Sequence, residues 1–141
     1  MKEKKANKIE YEEIKIGSKF GFKKMITQKD VLNFAELTGD YNPLHIDNDY
    51  ARHTDFKGTI VHGMLAGSLF STLVGMYCPG EKNLYLTQSL NFKKPLRPES
   101  EIIVEGEILD KIDSLKIVVI KTKIITGQEI IIEGEAKVKI I

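Results

Sequence analysis

The sequence predicts an α+β domain in which an antiparallel sheet wraps one long central helix, and three observations carry that prediction. The first half of the chain reads as helical and irregular segments, and the second half as strands separated by turns. Residues Gly63 to Met76 are apolar nearly all round, so this helix belongs inside the molecule. Its small residues Ala66, Gly67, Ser68, Ser71 and Gly75 let other backbone or a ligand come close. Finally, Val118, Ile120, Thr122 and Ile124 alternate with Val119, Lys121 and Lys123, the period of a strand with one face in the core.

Taken in order, residues 1–8 (MKEKKANK) are basic and lack the apolar run of a secretory signal. They are expected to be a flexible, solvated tail, with residues 9–141 forming one domain. A short strand should cover Ser18 to Met25. Thr27 then suits a helix N-cap, with Asp30 in the first turn, and the helix should run to Thr38 with Val31, Phe34, Ala35 and Thr38 on one packing face before Gly39 ends it. Between Asp40 and Ile60 the chain is polar, with turn signals at Asn42-Pro43 and Lys57-Gly58 and a helical turn at Asp49 to His53. Leu44, Ile46, Tyr50 and Phe56 are the expected anchors of an ordered, functional segment. Asp47 and Asp49 suit the start of that turn. The central helix should stop before Pro79-Gly80. Strands are expected at Tyr85 to Phe92, Glu101 to Ile112, Lys116 to Thr126 and Glu129 to Ile140, the last two joined at Gly127-Gln128.

A chain of 141 residues can bury one core but not two. Its composition, 42% hydrophobic and 29% charged, is that of a globular protein, and a formal net charge of +1 offers no footprint for nucleic acid. The apolar run from Met64 to Met76 is shorter than the ~20 residues that span a bilayer, so no membrane association is expected. The lone Cys78 cannot form an intrachain disulfide, which suits a reducing cytoplasm. Neither a His-Glu-x-x-His pattern nor paired cysteines occur, and no metal site is expected.

Chemistry concentrates in Asp40-Tyr41-Asn42-Pro43-Leu44-His45, where a carboxylate and an imidazole lie five residues apart on a turn restricted by Pro43. Such a pair can hold a water and move its proton near neutral pH. Taken alone, the two residues also suit an ordinary turn, with Asp40 capping it and His45 bonded to backbone. Seventeen residues further on, His62-Gly63 opens the central helix, where free N–H groups and the dipole favour developing negative charge. Gly63 equally suits a helix start that needs a permissive residue. His62 reads as structural, and His53 as exposed.

Together these residues resemble the MaoC-like, (R)-specific enoyl-CoA hydratases. The resemblance runs through Asp40 to His45, Phe56, Ile60-Val61-His62-Gly63-Met64-Leu65, Ser68-Leu69-Phe70-Ser71, Tyr85 to Phe92 and Pro95, and covers the chain from about Ser18 onward. It implies a hot-dog fold, a homodimer in which two sheets join, and reversible addition of water to trans-2-enoyl-CoA. It assigns Asp40 and His45 to catalysis, the Gly63 N–H to the thioester carbonyl and Ser71 to support of the pair. Asn42 belongs to the same substrate-facing motif. Lys93, Lys94 and Arg97, beside Pro95 and Pro98, are candidates for the phosphates of coenzyme A. The groove around Ser71, Val74 and Gly75 is a candidate acyl pocket. Coenzyme A is then part of the substrate and no cofactor is implied.

Hot-dog proteins also include acyl thioesterases, acyl-carrier-protein dehydratases and non-catalytic acyl-CoA-binding modules, so the fold alone does not decide. Many relatives of the first two kinds carry a carboxylate on the central helix, whereas Met64 to Met76 contains no Asp or Glu. A binding module has no use for the Asp40/His45 pair.

Overall fold

Val118, Ile120, Thr122 and Ile124 are all fully buried, as their alternation requires, and the strand that carries them lies at the centre of a sheet. A computed structural model describes residues 4–141. Its strands are β1 (Lys19–Met25), β2 (Asn83–Gln88), β3 (Asn91–Phe92), β4 (Glu101–Ile112), β5 (Ile117–Thr126) and β6 (Glu129–Ile140). They form one six-stranded antiparallel sheet in the order β1-β4-β5-β6-β2, with β3 also paired to β6.

The outer face of this sheet is organised by charge. Lys121 stands between Glu107 and Glu135, and Lys123 between Glu105 and Glu133, so each lysine opposes an acid on both neighbouring strands. Such cross-strand pairs each contribute about 0.2–1 kcal/mol and keep the face in solvent. Val119 departs from the alternation by being buried at 8% exposure, next to the register shift between Ile108 and Asp110 on β4.

The strand expected from Tyr85 to Phe92 is divided in two. Ser89 N–H donates to Glu135 O (2.9 Å), but Glu135 N–H donates to the Ser89 hydroxyl (2.9 Å) instead of a main-chain carbonyl. The backbone there presses against β6 so closely that a Cβ at Gly134 would lie 1.8 Å from Ser89 O. Only glycine tolerates that approach.

Four helices precede the end of the central run: α1 (Gln28–Thr38), α2 (Pro43–Ile46), α3 (Asn48–Arg52) and α4 (Gly63–Gly67), followed by α5 (Leu69–Thr72) and a π-helical turn at Leu73–Tyr77. The central helix is therefore not one uninterrupted α-helix. It is interrupted at Ser68, whose hydroxyl donates to Leu65 O (2.6 Å), and it widens in its last turn. A serine that bonds back to the preceding turn perturbs the helical ladder. The helix still fills the sheet's concave face. Ala66, Phe70 and Leu73 pack with Ile102, Val104, Ile124 and Ile132, whereas Val74 packs with Ile108, Val118, Ile120 and Val138.

The N-cap prediction for α1 holds. The Thr27 hydroxyl accepts from Asp30 N–H (3.1 Å), and Thr27 N–H donates to the Asp30 carboxylate (2.9 Å), a reciprocal box. That main-chain donor holds the Asp30 carboxyl below its usual 3.8, against the opposing effect of desolvation. With the folded value lowered, the contribution is complete above the unfolded carboxylate range and is lost as pH falls through it. Asp30→Ala is expected to cost about 0.5–1 kcal/mol at pH 7, a difference that shrinks in urea melts repeated toward pH 3. Gly39, at φ 81°, ends α1 as expected.

Three expectations need correction. Thr38 is exposed and its hydroxyl donates to Phe34 O (2.7 Å), so it is no part of the packing face. Tyr50, at 52% exposure, does not anchor the polar segment; Ala51 is the buried residue of α3. Residues 7 and 8 of the expected tail are bonded to the rest of the domain. Asn7 N–H donates to Met76 O (3.0 Å), its side chain to Tyr77 O (2.9 Å), and Lys8 bridges to Gly80. Residues 1–3 of that tail lie outside the described residues. Among the described residues no helix is long and apolar enough to cross a membrane.

Candidate active site

The segment from Thr38 to His45 is built by short side chains bonding to nearby backbone. Asp40 N–H donates to the Thr38 hydroxyl (3.3 Å), Asn42 N–H to the Asp40 carboxylate (3.2 Å) and Leu44 N–H to the Asn42 side chain (3.0 Å). Asn42 is thereby the N-cap of α2, and Pro43 occupies its first position, where a missing N–H costs nothing. The Asp-x-Asn-Pro-x-His segment is thus a capped helical turn, and it carries Asp40 and His45 to the same side. The following turn starts as expected: Asp47 caps α3 by accepting from Tyr50 N–H (3.1 Å), and Asp49 pairs with Arg52 (3.0 Å). His53 is exposed and its ring bonds Asp49 O.

Main-chain carbonyls fix which ring nitrogen of each site histidine donates. His45 Nδ1 lies 2.8 Å from Ile60 O, and a carbonyl only accepts, so Nδ1 carries a proton and Nε2 is the nitrogen left to exchange one. His62 Nε2 lies 3.1 Å from Asp40 O and donates to it, with the Asp40 carboxylate 3.9 Å away. The two imidazoles stack at 3.9 Å between centroids, and Phe34 packs on His62 at 4.8 Å. His62 is 2% exposed, whereas the Asp40 side chain is 51% exposed. The buried, backbone-bonded ring fits the structural reading of His62; its place beside Gly63 was visible in the sequence, but not that the fold stacks it on His45.

One ligand-type atom from each of Asp40, His45 and His62 falls within 4.8 Å of the others, a cluster that the sequence spacing did not reveal. Its geometry suits hydrogen bonding better than a cation. A metal has to lie in the plane of each imidazole that binds it, but these rings are stacked with 29° between planes, and one nitrogen of each is already committed to a carbonyl.

His45 opens onto a cavity of about 480 Å³ whose apolar wall comes from Phe56, Ile60, Val61, Ala66, Leu96 and Ile132. Gly63 lines it too. A Cβ there would lie 2.7 Å from the Phe92 ring, so glycine is needed for packing as well as for access. As the first residue of α4, Gly63 has an N–H outside the intrahelical ladder. Lys93 and Lys94 also line the cavity, paired with Glu133 (3.6 Å) and Glu129 (2.7 Å).

Other expected site residues lie elsewhere. Arg97 does not line the cavity; its guanidinium donates to Thr59 O (3.4 Å). Ser71 is exposed on a separate groove with Tyr85, Gln88 and Leu90, joined to the first only through Met64. Val74 is sealed at 0% exposure in the core, and Gly75 is not among the cavity's lining residues. The acyl pocket expected around Ser71, Val74 and Gly75 is therefore not the space in front of His45. The residues facing that space come instead from the segment before α4, from α4 itself, from β3 and the segment after it, and from β6.

Comparison with known proteins agrees with this architecture. The model of the MaoC-like domain matches residues 12–129. The (R)-specific enoyl-CoA hydratase of Aeromonas caviae is 40% identical over 128 residues, covering 90% of this chain and 96% of its own. The 3-hydroxybutyryl-CoA dehydratase of Methylorubrum extorquens is 34% identical over 130 residues, covering 92% and 83%. The solved structure of an R-hydratase from Pseudomonas aeruginosa superposes with a TM-score of 0.90 at 34% identity, covering 94% of this chain and 86% of that one. A sheet wrapped on a central helix is the hot-dog fold, and with a family match spanning most of its length the chain belongs to the MaoC-like domain family.

Proposed function

We propose that this protein is an (R)-specific enoyl-CoA hydratase, a hydro-lyase that reversibly adds water to trans-2-enoyl-CoA. The observation that carries the reading is the orientation of His45: Ile60 O holds a proton on Nδ1, leaving Nε2 to exchange one beside Asp40, on a cavity that Gly63 also lines. The Gly63 N–H polarises the thioester carbonyl and makes C3 electrophilic. Water held by Asp40 and His45 attacks C3, its proton passes to the pair, and the displaced electrons collect on the thioester oxygen as an enolate. Protonation at C2 completes the 3-hydroxyacyl product, and the reverse sequence is dehydration. Asn42 supports the site by capping the turn that aims His45.

Lys93 and Lys94 at the cavity suit the phosphates of coenzyme A, which is part of the substrate; no further cofactor is needed. The protein works as a homodimer. β2 is an edge strand within the chain and exposes Leu84 and Leu86 at 51% and 44%, an edge that pairing would protect. Ser71, on the groove beside β2, is then close to that junction. A cytoplasmic setting suits Cys78, whose buried thiol has its pKa pushed up to about 11.

The test is incubation with crotonyl-CoA, following loss of the enoyl absorbance while assaying separately for free thiol and for 3-hydroxybutyryl-CoA. Hydroxyacyl product without thiol is expected, and the rate should be unchanged after exhaustive dialysis against EDTA. Thiol release without hydroxyacyl product would replace this reading with a thioesterase.

A further inference from the structure

Buried histidines normally satisfy both ring nitrogens, yet His62 satisfies one. It is 2% exposed, its Nε2–H donates to Asp40 O at 3.1 Å, and its Nδ1 has no partner among the described residues. An unpaired lone pair in that position costs less than an unpaired N–H would, so the ring is held as the Nε2–H tautomer. That one residue touches both Asp40 and His45 and directly precedes Gly63 in the chain. Its Nε2–H holds the main chain of Asp40, and its ring face meets His45 at 3.9 Å. Phe34 at 4.8 Å keeps the ring from turning away.

Asp40 needs such a restraint. Its side chain is 51% exposed, and among the described residues its carboxylate accepts one hydrogen bond, from Asn42 N–H at 3.2 Å, with His62 Nε2 further off at 3.9 Å. The His62 donor ties the Asp40 end of this surface turn to the start of the buried helix, while Ile60 N–H to Leu44 O (3.2 Å) and the His45 ring to Ile60 O (2.8 Å) tie its other end. We infer that His62 is a positioning residue of the hydratase site, a clamp whose Nε2–H bond to Asp40 O sets the Asp40/His45 pair against Gly63. This rests on the hydratase reading for its effect on turnover, though not for the clamp itself.

Two substitutions separate the clamp from mere packing. His62→Phe keeps an aromatic ring on His45 but removes the donor, whereas His62→Gln keeps a donor and removes the ring. In crotonyl-CoA hydration His62→Phe is expected to lower kcat at least tenfold with KM within about twofold of wild type, and His62→Gln to return kcat to within about threefold. Amide exchange gives a readout independent of turnover. Protection at Asn42 and Leu44, whose N–H groups are bonded within the turn, should fall in His62→Phe and persist in His62→Gln. Wild-type kcat in His62→Phe, or equal losses in both variants tracking a lowered melting temperature, would overturn the inference. Full hydration by Asp40→Asn and His45→Gln would instead remove the hydratase reading, and the exchange data would then decide the clamp alone.

Discussion

Asp40→Asn and His45→Gln are each expected to lower the turnover of crotonyl-CoA hydration by about 100-fold or more, the scale that general acid/base groups contribute, while the fold stays intact. The structure explains why stability should be spared. The Asp40 side chain is half exposed, so neither its charge nor its replacement by an amide has to be desolvated, and an amide oxygen still accepts from Asn42 N–H. Glutamine at position 45 can still donate to Ile60 O, but it offers no base where Nε2 stands. Loss should therefore fall on kcat more than on KM, because what is removed acts on the reacting water and not on the acyl chain. Circular dichroism and thermal melts matching wild type would establish that the fold survives. Near wild-type turnover in both variants would sink the assignment of the pair.

The fold was legible wherever one residue determines a local bond. Thr27 with Asp30, Gly39, Asn42-Pro43 and Asp47 each do locally what their chemistry predicts, and the alternation in β5 places its core face correctly. Legibility failed where the outcome depended on a distant partner. The break between β2 and β3 is set by Ser89 meeting Gly134 across the sheet; the interruption at Ser68 is instead local, a hydroxyl turned back to Leu65 O, which apolar periodicity does not report. The site divides along the same line. Asp40 and His45 could be chosen from their spacing and lie together, and Gly63 lines the cavity that His45 opens onto, but the orientation of His62 is a product of Phe34, Asp40 and His45 together. Val74 and Gly75 misled because helical periodicity says which face of a helix is apolar and not whether that face meets a ligand or the sheet. For Val74 it is the sheet.

Gly63→Ala carries the second large expectation, a fall in kcat of about 100-fold, comparable with losing one oxyanion donor. The added methyl would stand 2.7 Å from Phe92 Cε1 and 2.8 Å from Cδ1, inside any permitted contact, so the ring or the start of α4 must move. Phe92 is 52% exposed and can swing outward, which limits the destabilisation to about 1–3 kcal/mol. Catalysis is less forgiving. A donor displaced by a fraction of an ångström no longer faces the oxygen on which the enolate charge collects, and the methyl itself intrudes on the cavity that His45 shares. The double variant Gly63→Ala, Phe92→Ala removes the clash while retaining the N–H. If steric displacement is the cause, it should recover activity to within about tenfold of Phe92→Ala alone. A Gly63→Ala enzyme with wild-type kcat would mean that the polarising group lies elsewhere along the cavity wall, and that Gly63 serves only to seat Phe92.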